Sequence, residues 1–528
     1  MGKEKELHPL TKFIASCLQS EGSTWIEEDV LKEKAKKYKI DIDDLDIVIR
    51  TGEIKKLPFD GVNYYSLPFY HLIESETAYN IMRILYSDKF GKKPSALIDE
   101  KIDKMEKDVG IKLHEQQRAA VHTMVQNSCC VITGGPGTGK TCTLNIALRV
   151  LEDLYPGINI KLSAPTGKAA HRITESTGRN ARTVHRELHL SFTKSEPDYF
   201  NGDILVIDEV SMLDIETANA VFKSLRSGQR IILIGDTEQL PSVGPGAVLR
   251  DLLDSAVIPF TMLTKTFRQA EESPLFANIL LTKSGKSDLV SDSDEFVIEK
   301  AMGGEKTVDQ IADIFVREVE KAGLENVVCL LPYRKAGSIC SNKLNNVLQQ
   351  RINPKRPDKK FMQARLETGE PVLYIVGDPV MQLENRDECA NGDVGVVIDV
   401  DVAHDQLVVK YKDPKNQDII VRYWKSQLPT QLSLAYAMSV NKSQGSEYKT
   451  VIICMTLEHR SMLTRNMLYT GITRAKKRVV YIEERKATEI AMRNIAMYAN
   501  EISKGRTTLL VEKLVFYKNI YEHAALTA

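Results

Sequence analysis

Short apolar runs rich in β-branched residues alternate with helical stretches between residues 108 and 272. The runs are CCVIT, INIKLSA, DILVID and QRIILIGD. Strands that crossover helices bury on both faces carry uninterrupted apolar runs of this kind. A second set follows in NVVCLLPY (326–333), TVIICMT (450–456) and RVVYIEE (478–484). The pattern therefore predicts an α/β protein with two mostly parallel sheets.

The segment from 370 to 425 has a different pattern, in which apolar and polar positions alternate. Its strands are PVLYIVGDPVMQLEN, DVGVVIDV, QLVVKYK and DIIVRYWK, and NG, DP and KNQD turns interrupt them. Alternation with frequent turns is typical of a small antiparallel β-barrel. We therefore predict a first α/β domain at 108–272, a second at 273–365 and 430–528, and a β insertion at 366–429.

Residues 1–107 mix helices with short strands. WIEEDVLKEKAKKYKI predicts an amphipathic helix, GVNYYSLPFY a strand pair or wing, and HLIESETAYNIMRILYSDKF a helix with an apolar stripe. Two interpretations of this α+β segment remain open. It is either a packing domain or a winged helix that touches nucleic acid.

Composition narrows the class of protein. The 528 residues are 43% hydrophobic and 27% charged, with 71 basic and 71 acidic side chains. With no net charge, any nucleic acid would have to bind a local basic groove. The sequence contains no run of 18 apolar residues, no apolar signal core after its first Met and no C-x-x-C pair among eight cysteines. A reducing, cytoplasmic location without a membrane is expected.

GGPGTGKT, residues 134–141, carries the clearest chemistry. It fits G-x-x-x-x-G-K-[ST], follows a predicted strand and opens a predicted helix, which is the context of a phosphate-binding loop. Glycines let backbone N–H groups turn toward phosphate oxygens, and the helix N-terminus adds its positive end. Lys140 is then expected to reach the β- and γ-phosphates of ATP, and Thr141 to give a hydroxyl to Mg²⁺.

Acidic and amide residues follow two further strands. Asp208 and Glu209 end DILVID, where Asp208 would hold Mg²⁺ and Glu209 would polarise the attacking water. Asp236 ends QRIILIGD, Gln239 follows three residues later, and Gln239 could sense the γ-phosphate. The alternatives are ordinary acidic residues at a helix start and a structural loop.

Two arginines are candidates for stabilising charge on the transferred phosphoryl group. Arg268 lies in LTKTFRQ and Arg474 in LYTGITRAKKRVV. Because Arg474 belongs to the second α/β domain, it would reach ATP only across a cleft that closes with ATP. The alternative for a lone arginine is a solvated surface position.

Ten motifs in order resemble the superfamily 1 helicases, specifically the RecD-like branch of superfamily 1B. They are LHEQQRAAV, GGPGTGKT, APTGKAA, TVHREL, VIDEVSML, GDTEQLPSVGPGAVLRDL, LTKTFRQ, NGDVGVV, AYAMSVNKSQGSEY and LYTGITRAKKRVV. The resemblance covers nearly all of 108–485. It implies two RecA-like motor domains that use ATP and Mg²⁺, with a small β-hairpin pin in the first and an SH3-like insertion in the second.

The resemblance also implies residue roles. The nucleotide site would comprise Gln117, Gly134, Gly135, Pro136, Gly137, Thr138, Gly139, Lys140, Thr141 and Glu447, with Gln117 at the adenine edge and Glu447 near the ribose. Metal would be held by Thr141 and Asp208. The catalytic set would be Lys140, Asp208, Glu209, Gln239, Arg268 and Arg474.

On the nucleic-acid side, the resemblance implies backbone contacts from Thr166, His185, Pro241, Lys442, Ser443 and Gln444. Such contacts grip any sequence, as a translocating motor requires. The pin would lie at 189–202, where Phe192, Tyr199 or Phe200 either stack on a base or pack the hairpin. Asn441 replaces the family's usual histidine, which puts any imidazole contact in doubt.

The leading hypothesis is an ATP-dependent 5′-to-3′ DNA helicase acting on single-stranded DNA and on single-strand/duplex junctions. The polarity rests on the resemblance alone. Two other classes remain open: a DNA-stimulated translocase that unwinds poorly, and a subunit that serves nuclease or single-strand-binding protein partners. RNA is a lesser alternative, since backbone grips discriminate poorly without 2′-hydroxyl contacts.

Overall fold

The computed structural model describes residues 7–190, 197–267, 273–292, 294–366, 369–386, 388–413, 416–495 and 505–527. Contacts divide the chain into two compact units. The first unit contains 1–165, 184–266 and 496–528, and the second contains 166–183 and 267–495. The chain therefore passes between the units four times. Within the described part of the chain, no helix has the length and apolar character needed to cross a membrane.

The N-terminal part of the first unit has the element order of a winged helix. Its elements are Pro9–Glu21, strand Ile26–Glu27, Glu28–Tyr38, Leu45–Arg50, and strands Lys55–Phe59 and Val62–Ser66. The hairpin turns at Asp60 and Gly61, which both have positive φ, as tight hairpin turns require. The strands form an antiparallel sheet around a small apolar core.

Charge argues against a DNA contact by the third helix of this winged helix. Asp41, Asp43, Asp44 and Asp46 lie at its start and just before it. Carboxylates at this density repel phosphate. The packing interpretation of the N-terminal segment is therefore favoured.

A parallel sheet forms the centre of the first unit. Its strands, in spatial order, are Ile160–Ala164, Ile204–Ile207, Arg230–Gly235, Cys129–Gly134 and Phe260–Leu263. The helices of this part are Ser95–Val109, Glu115–Gln126, Lys140–Leu154, Val184–Glu187, Ile215–Ser224 and Val248–Asp254, with a 3₁₀ turn at Val210–Met212. The three central strands are wholly buried, which confirms the parallel prediction from their apolar runs. The edge strand Phe260–Leu263 was not predicted, because half of its residues are exposed.

The C-terminal helix Leu510–Thr527 packs against Pro68–Leu85 in the first unit. Leu510 and Leu514 are fully buried there, and Tyr521 stacks on Tyr86 with ring centroids 5.3 Å apart. The predicted second α/β domain runs to residue 528, and this part of the boundary is wrong. Apolar side chains on the helix bury against the N-terminal region instead.

Asp251 is hydrogen-bonded to the segment just before the C-terminal helix: the Thr508 hydroxyl donates to its side-chain oxygen at 2.8 Å. Burial raises the pKa of Asp251 to about 8. From about pH 4 to pH 8 the folded state therefore holds a proton that the unfolded state releases. The free energy of unfolding should fall as pH rises through this window, by at most about 1.4 kcal/mol per pH unit.

Asp251→Asn should remove that slope, because the amide keeps an acceptor for Thr508 and carries no titrating proton. Urea unfolding at pH 5 and pH 8 measures the effect. Asp254→Asn is the matched control, since Asp254 lies in the same helix and is exposed. Equal slopes for Asp251→Asn and the wild-type chain would contradict the prediction.

The second unit contains another parallel sheet, in the order Phe296–Lys300, Ala475–Glu483, Tyr448–Met455, Val327–Leu331 and Ala437–Ser439. Its helices are Gly167–Thr177, Pro274–Lys283, Gly304–Ala322, Ser341–Ile352, Leu428–Gln431, Arg465–Ile472 and Arg485–Arg493. A short strand, Ala181–Thr183, and 3₁₀ turns at Leu324–Asn326, Lys425–Gln427, Val440–Ser443 and Leu457–Met462 complete the set. The strands predicted from 326–333, 450–456 and 478–484 are confirmed.

The β insertion is antiparallel, as predicted. Phe361–Arg365 pairs with Pro371–Ile375, and a separate sheet runs Asp418–Trp424, Gln406–Lys412, Val394–Asp401, Pro379–Gln382 and Leu432–Leu434. Among the described residues these two sheets do not close into the predicted barrel. Asp378, fully buried between them, accepts hydrogen bonds from Ile375 N, Asn353 Nδ2 and Tyr436 Oη at 2.7–2.8 Å.

Candidate nucleotide and nucleic-acid sites

The glycine-rich loop follows the buried strand Cys129–Gly134 and ends where helix Lys140–Leu154 begins. Gly137 and Gly139 have φ of 75° and 79°, a conformation that side chains disfavour. A Cβ on Gly134 would lie 2.6 Å from the Leu263 carbonyl oxygen, so glycine is required by space. Glycines in this conformation let backbone N–H groups turn toward a phosphate, so the loop fits the predicted role.

Lys140 lies inside this loop. Its Nζ donates to Gly134 O at 2.5 Å and to Gly135 O at 3.0 Å. Carbonyl oxygens hold the ammonium at the place where phosphate oxygens would bind. The residues fit a nucleoside triphosphate, because the same ammonium can donate to charged phosphate oxygens in place of neutral carbonyl oxygens.

Gln117 supports the loop from the neighbouring helix. Its Nε2 donates to Thr138 O at 3.2 Å, while its Oε1 accepts from His114 N at 2.9 Å. Thr138 in turn donates its hydroxyl to Gly135 O at 2.9 Å. The side chain predicted to read the adenine edge is thus engaged with the loop backbone.

Asp208 follows the strand Ile204–Ile207 and accepts a hydrogen bond from Glu209 N at 2.8 Å. Glu209 has φ 54° and ψ 40°, a left-handed conformation that costs a non-glycine residue of order 1–3 kcal/mol. Such strain persists where the surrounding structure enforces it, often at functional sites. The outlier falls on the residue predicted to polarise water.

Strand register brings these groups to one edge of the sheet. Thr133 pairs with Gly235, and Ile207 pairs with Leu233. Three strands therefore end at similar levels: the one before the glycine-rich loop, the one before Asp236 and the one before Asp208. With about 4.8 Å between adjacent strands, the loop and Asp208 lie across about 10 Å. Metal held by Thr141 and Asp208 fits this edge, since carboxylate and hydroxyl oxygens are ligands that Mg²⁺ accepts.

The loop after Gln239 is hydrogen-bonded to Arg506, a residue that was not predicted from the sequence to be functional. Gln239 and Asp236 are buried, and Glu238 N donates to Asp236 Oδ1 at 3.1 Å. Beyond them, the guanidinium of Arg506 contacts Ser242, Gly244 and Gly246. No local pattern around Arg506 predicts this contact.

In the second unit, Arg474 is buried and donates to Thr470 O at 3.2 Å and Ser446 O at 3.4 Å. Lys442 donates to Asn391 Oδ1 at 2.8 Å, and burial, with the Arg334 charge in addition, lowers the pKa of its ammonium. Ser443 is fully buried and donates to Val440 O, and Gln444 is also buried. Their predicted phosphate and DNA contacts stay predictions.

Glu447 lies between two basic side chains of the second unit. Its carboxylate pairs with Arg172 and, at 3.4 Å, with Lys476. Thr166 caps the helix that carries Arg172, accepting from Ala169 N at 3.3 Å. The predicted contact of Glu447 with a ribose stays a prediction, as does that of Thr166 with DNA.

The remaining predicted residues lie in the first unit or outside the described residues. His185 is exposed on helix Val184–Glu187, and Pro241 is half-buried. Tyr199 is 66% exposed, with the Arg226 guanidinium 4.7 Å from its ring centroid. Phe200 is 2% exposed and packs in the core, so it takes the packing role rather than the base-stacking one. Arg268 and Phe192 lie outside the described residues.

Three family models match the sequence. Residues 112–296 match an AAA domain, 344–411 the SH3 domain of ATP-dependent RecD-like DNA helicases, and 434–482 the UvrD-like helicase C-terminal domain. The matches fall in the first sheet, the insertion and the second sheet. They agree with the order of motifs along the chain.

Curated relatives carry RecD names. The ATP-dependent RecD2 DNA helicase of Deinococcus radiodurans is 32% identical over 76% of this chain and 52% of its own length. The RecBCD enzyme subunit RecD of Mycolicibacterium smegmatis is 29% identical over 74% of each chain. That of Haemophilus influenzae is 26% identical over 74% of this chain and 72% of its own. The chain thus spans about half of the Deinococcus relative.

Among solved structures, the Pif1 helicase from Candida albicans is 19% identical and has a TM-score of 0.44. The match covers 78% of this chain and all of that one.

Proposed function

We propose that the chain is a RecD-like helicase, an ATP-dependent motor that moves 5′-to-3′ along single-stranded DNA and separates duplex DNA; the three family models and the RecD2 relative support this proposal. The observation that carries the proposal is the alignment of the Lys140 loop, Asp208 and Gln239 at one edge of adjacent parallel strands. Ligands bind at such carboxyl edges of open α/β sheets.

In the proposed mechanism, Lys140 leaves the carbonyls of Gly134 and Gly135 and binds the β- and γ-phosphates of ATP. Thr141 and Asp208 would hold Mg²⁺, which would supply positive charge that offsets the negative charge of the phosphates. Glu209 takes a proton from the attacking water, and Gln239 contacts the γ-phosphate. Arg268 and Arg474 are proposed to stabilise charge on the transferred phosphoryl group.

Lys442, Ser443, Gln444, Thr166, His185 and Pro241 are the proposed contacts with the sugar–phosphate backbone. Contacts of this kind carry no sequence information, so the motor would move along any single strand. Tyr199 is the described candidate for stacking at the junction, because its ring is exposed and lies beside Arg226. An aromatic ring and a guanidinium together suit the face of a base.

Polarity is tested with two matched duplexes that carry a single-stranded tail on either the 5′ or the 3′ side. The purified chain should release the strand from the 5′-tailed substrate at least about tenfold faster, since a directional motor loads on the tail and moves toward the junction. Lys140→Ala is the inactive control for ATP use. Preference for the 3′ tail would contradict the proposed direction.

A subunit role is the second candidate, because two of the relatives are named subunits of the RecBCD enzyme. Such a chain would hydrolyse ATP with DNA but unwind weakly without nuclease partners. The same assay separates the candidates. Translocation without strand release by the purified chain favours the subunit or translocase role, and robust release favours the helicase.

A further inference from the structure

The side chain of Arg506 donates hydrogen bonds to several oxygen atoms of the loop 241–246. Its Nη1 lies 2.9 Å from Ser242 Oγ, 2.9 Å from Gly244 O and 2.7 Å from Gly246 O, and its Nη2 donates to Ser242 O. The side chain is only 6% exposed. A buried guanidinium fork that satisfies several backbone carbonyls fixes their relative positions, which a single ammonium cannot do.

The loop also has contacts besides those of Arg506: Ser242 Oγ donates to Gly244 O at 2.9 Å, and Pro245 O accepts from Ile215 N at 2.9 Å. Its sequence, PSVGPG, contains two glycines and two prolines, and Val243 at its tip is 81% exposed. Arg506 joins three carbonyls of this sequence, those of Ser242, Gly244 and Gly246. Gln239, the proposed contact of the γ-phosphate, lies two residues before the loop, and Pro241, the proposed contact of DNA, is its first residue. The conformation of the loop therefore sets how these two positions face their ligands.

Arg506 is itself held by the N-terminal region. Thr507 O accepts from Thr24 N at 3.0 Å and from Trp25 N at 3.2 Å, and Thr507 N donates to Ser23 Oγ at 3.0 Å. Gly22 packs directly on the guanidinium, since a Cβ there would lie 2.6 Å from Arg506 Cζ. Gly22 O also accepts from Gly246 N at 2.9 Å. The winged-helix region, the C-terminal segment and the loop thus share one set of contacts.

We propose that Arg506 is a positioning residue that couples DNA binding to ATP hydrolysis. It does so by holding the loop 241–246, which begins at the proposed DNA contact Pro241, against the N-terminal region. The inference rests on the proposed function. With the guanidinium in place, DNA bound at Pro241 shifts a loop whose far end is fixed, so the displacement passes to Gln239. Without it, the loop absorbs the displacement.

The test compares steady-state ATP hydrolysis by the full chain with and without a saturating oligothymidylate. In Arg506→Ala the stimulation by DNA should fall about tenfold, within the 5- to 150-fold range typical of coupling between two sites. Arg506→Lys should recover part of it, because one ammonium replaces part of the fork. Gly22→Ala should lower it in the same direction by displacing the guanidinium while Arg506 remains.

Arg83→Ala is the matched control. Arg83 binds the carbonyls of Phe222 and Leu225 in another turn of the same unit, with no contact to the loop. It should keep the wild-type stimulation ratio, whatever its effect on the melting temperature. Stimulation in Arg506→Ala and Gly22→Ala equal to that of Arg83→Ala would overturn the inference. A wild-type chain that DNA does not stimulate would instead overturn the proposed function.

Discussion

Replacing Lys140 by alanine is expected to lower ATP hydrolysis by about two to three orders of magnitude, the usual cost of removing one preorganised charge-stabilising donor. The Nζ atom donates to Gly134 O and Gly135 O, so the ammonium already lies in the loop that would hold the phosphates. Alanine removes the charge that should grow in importance as the transferred group becomes more negative.

The fold should tolerate this change. Lys140 is half-buried at a helix start, and alanine is the best helix former, so the free energy of unfolding should change by less than about 1 kcal/mol. Hydrolysis is measured with saturating single-stranded DNA, beside a thermal melt. Lys223→Ala, which removes a lysine paired with Glu76 in the same unit, is the control for loss of a charge. Near-wild-type hydrolysis in Lys140→Ala would contradict the assignment of the loop.

Replacing Glu74 by alanine is expected to lower the free energy of unfolding of the first unit by about 3–5 kcal/mol. Glu74 is fully buried and pairs with Lys513 at 3.0 Å. Its carboxylate also accepts from Thr24 Oγ1 at 2.5 Å and from Trp25 Nε1 at 2.8 Å. Alanine leaves the buried ammonium of Lys513 without its carboxylate, and the cost of an uncompensated buried charge dominates.

Double substitution separates this effect from lost packing. Glu74→Leu with Lys513→Met removes both charges together and should cost less than either single change, with the acceptor that Thr24 Oγ1 and Trp25 Nε1 lose as the remaining cost. The free energy of unfolding of each protein is measured from the first unfolding transition in urea. Lys32→Ala, which breaks a surface pair with Glu28, is the control and should change the free energy of unfolding very little, because solvent screens exposed ion pairs. A Glu74→Ala effect as small as that of the control would contradict the prediction.

Local patterns predicted the features whose causes are local. The buried strands of both sheets could be predicted because strands covered on two faces must be apolar along their whole length, as Cys129–Gly134 is. The conformation of the glycine-rich loop could be predicted because its glycines are needed at positions with positive φ. Asp208 and Gln239 followed, since residues after parallel strands reach one edge of the sheet.

Contacts distant in sequence could not be predicted. Arg506 contacts Ser242 across 264 residues, and nothing near either position reveals the other. The helix Leu510–Thr527 has an apolar surface that fits either α/β domain, and only its packing against Pro68–Leu85 decides which. Phe200 illustrates the same limit. An aromatic residue in a short insertion is equally compatible with a base-stacking position and a core position until its burial is known.

The position of Lys513 also has a consequence for biosynthesis. Glu74 and Lys513 are separated by 439 residues, so at about 5–20 residues per second the ribosome needs roughly 20–90 s to deliver the partner of a carboxylate already made. During that time the face of Pro68–Leu85 that Leu510 and Leu514 later cover is open to solvent. The unit that carries the phosphate-binding loop is translated first but completed late, which gives chaperones a nascent apolar surface to protect.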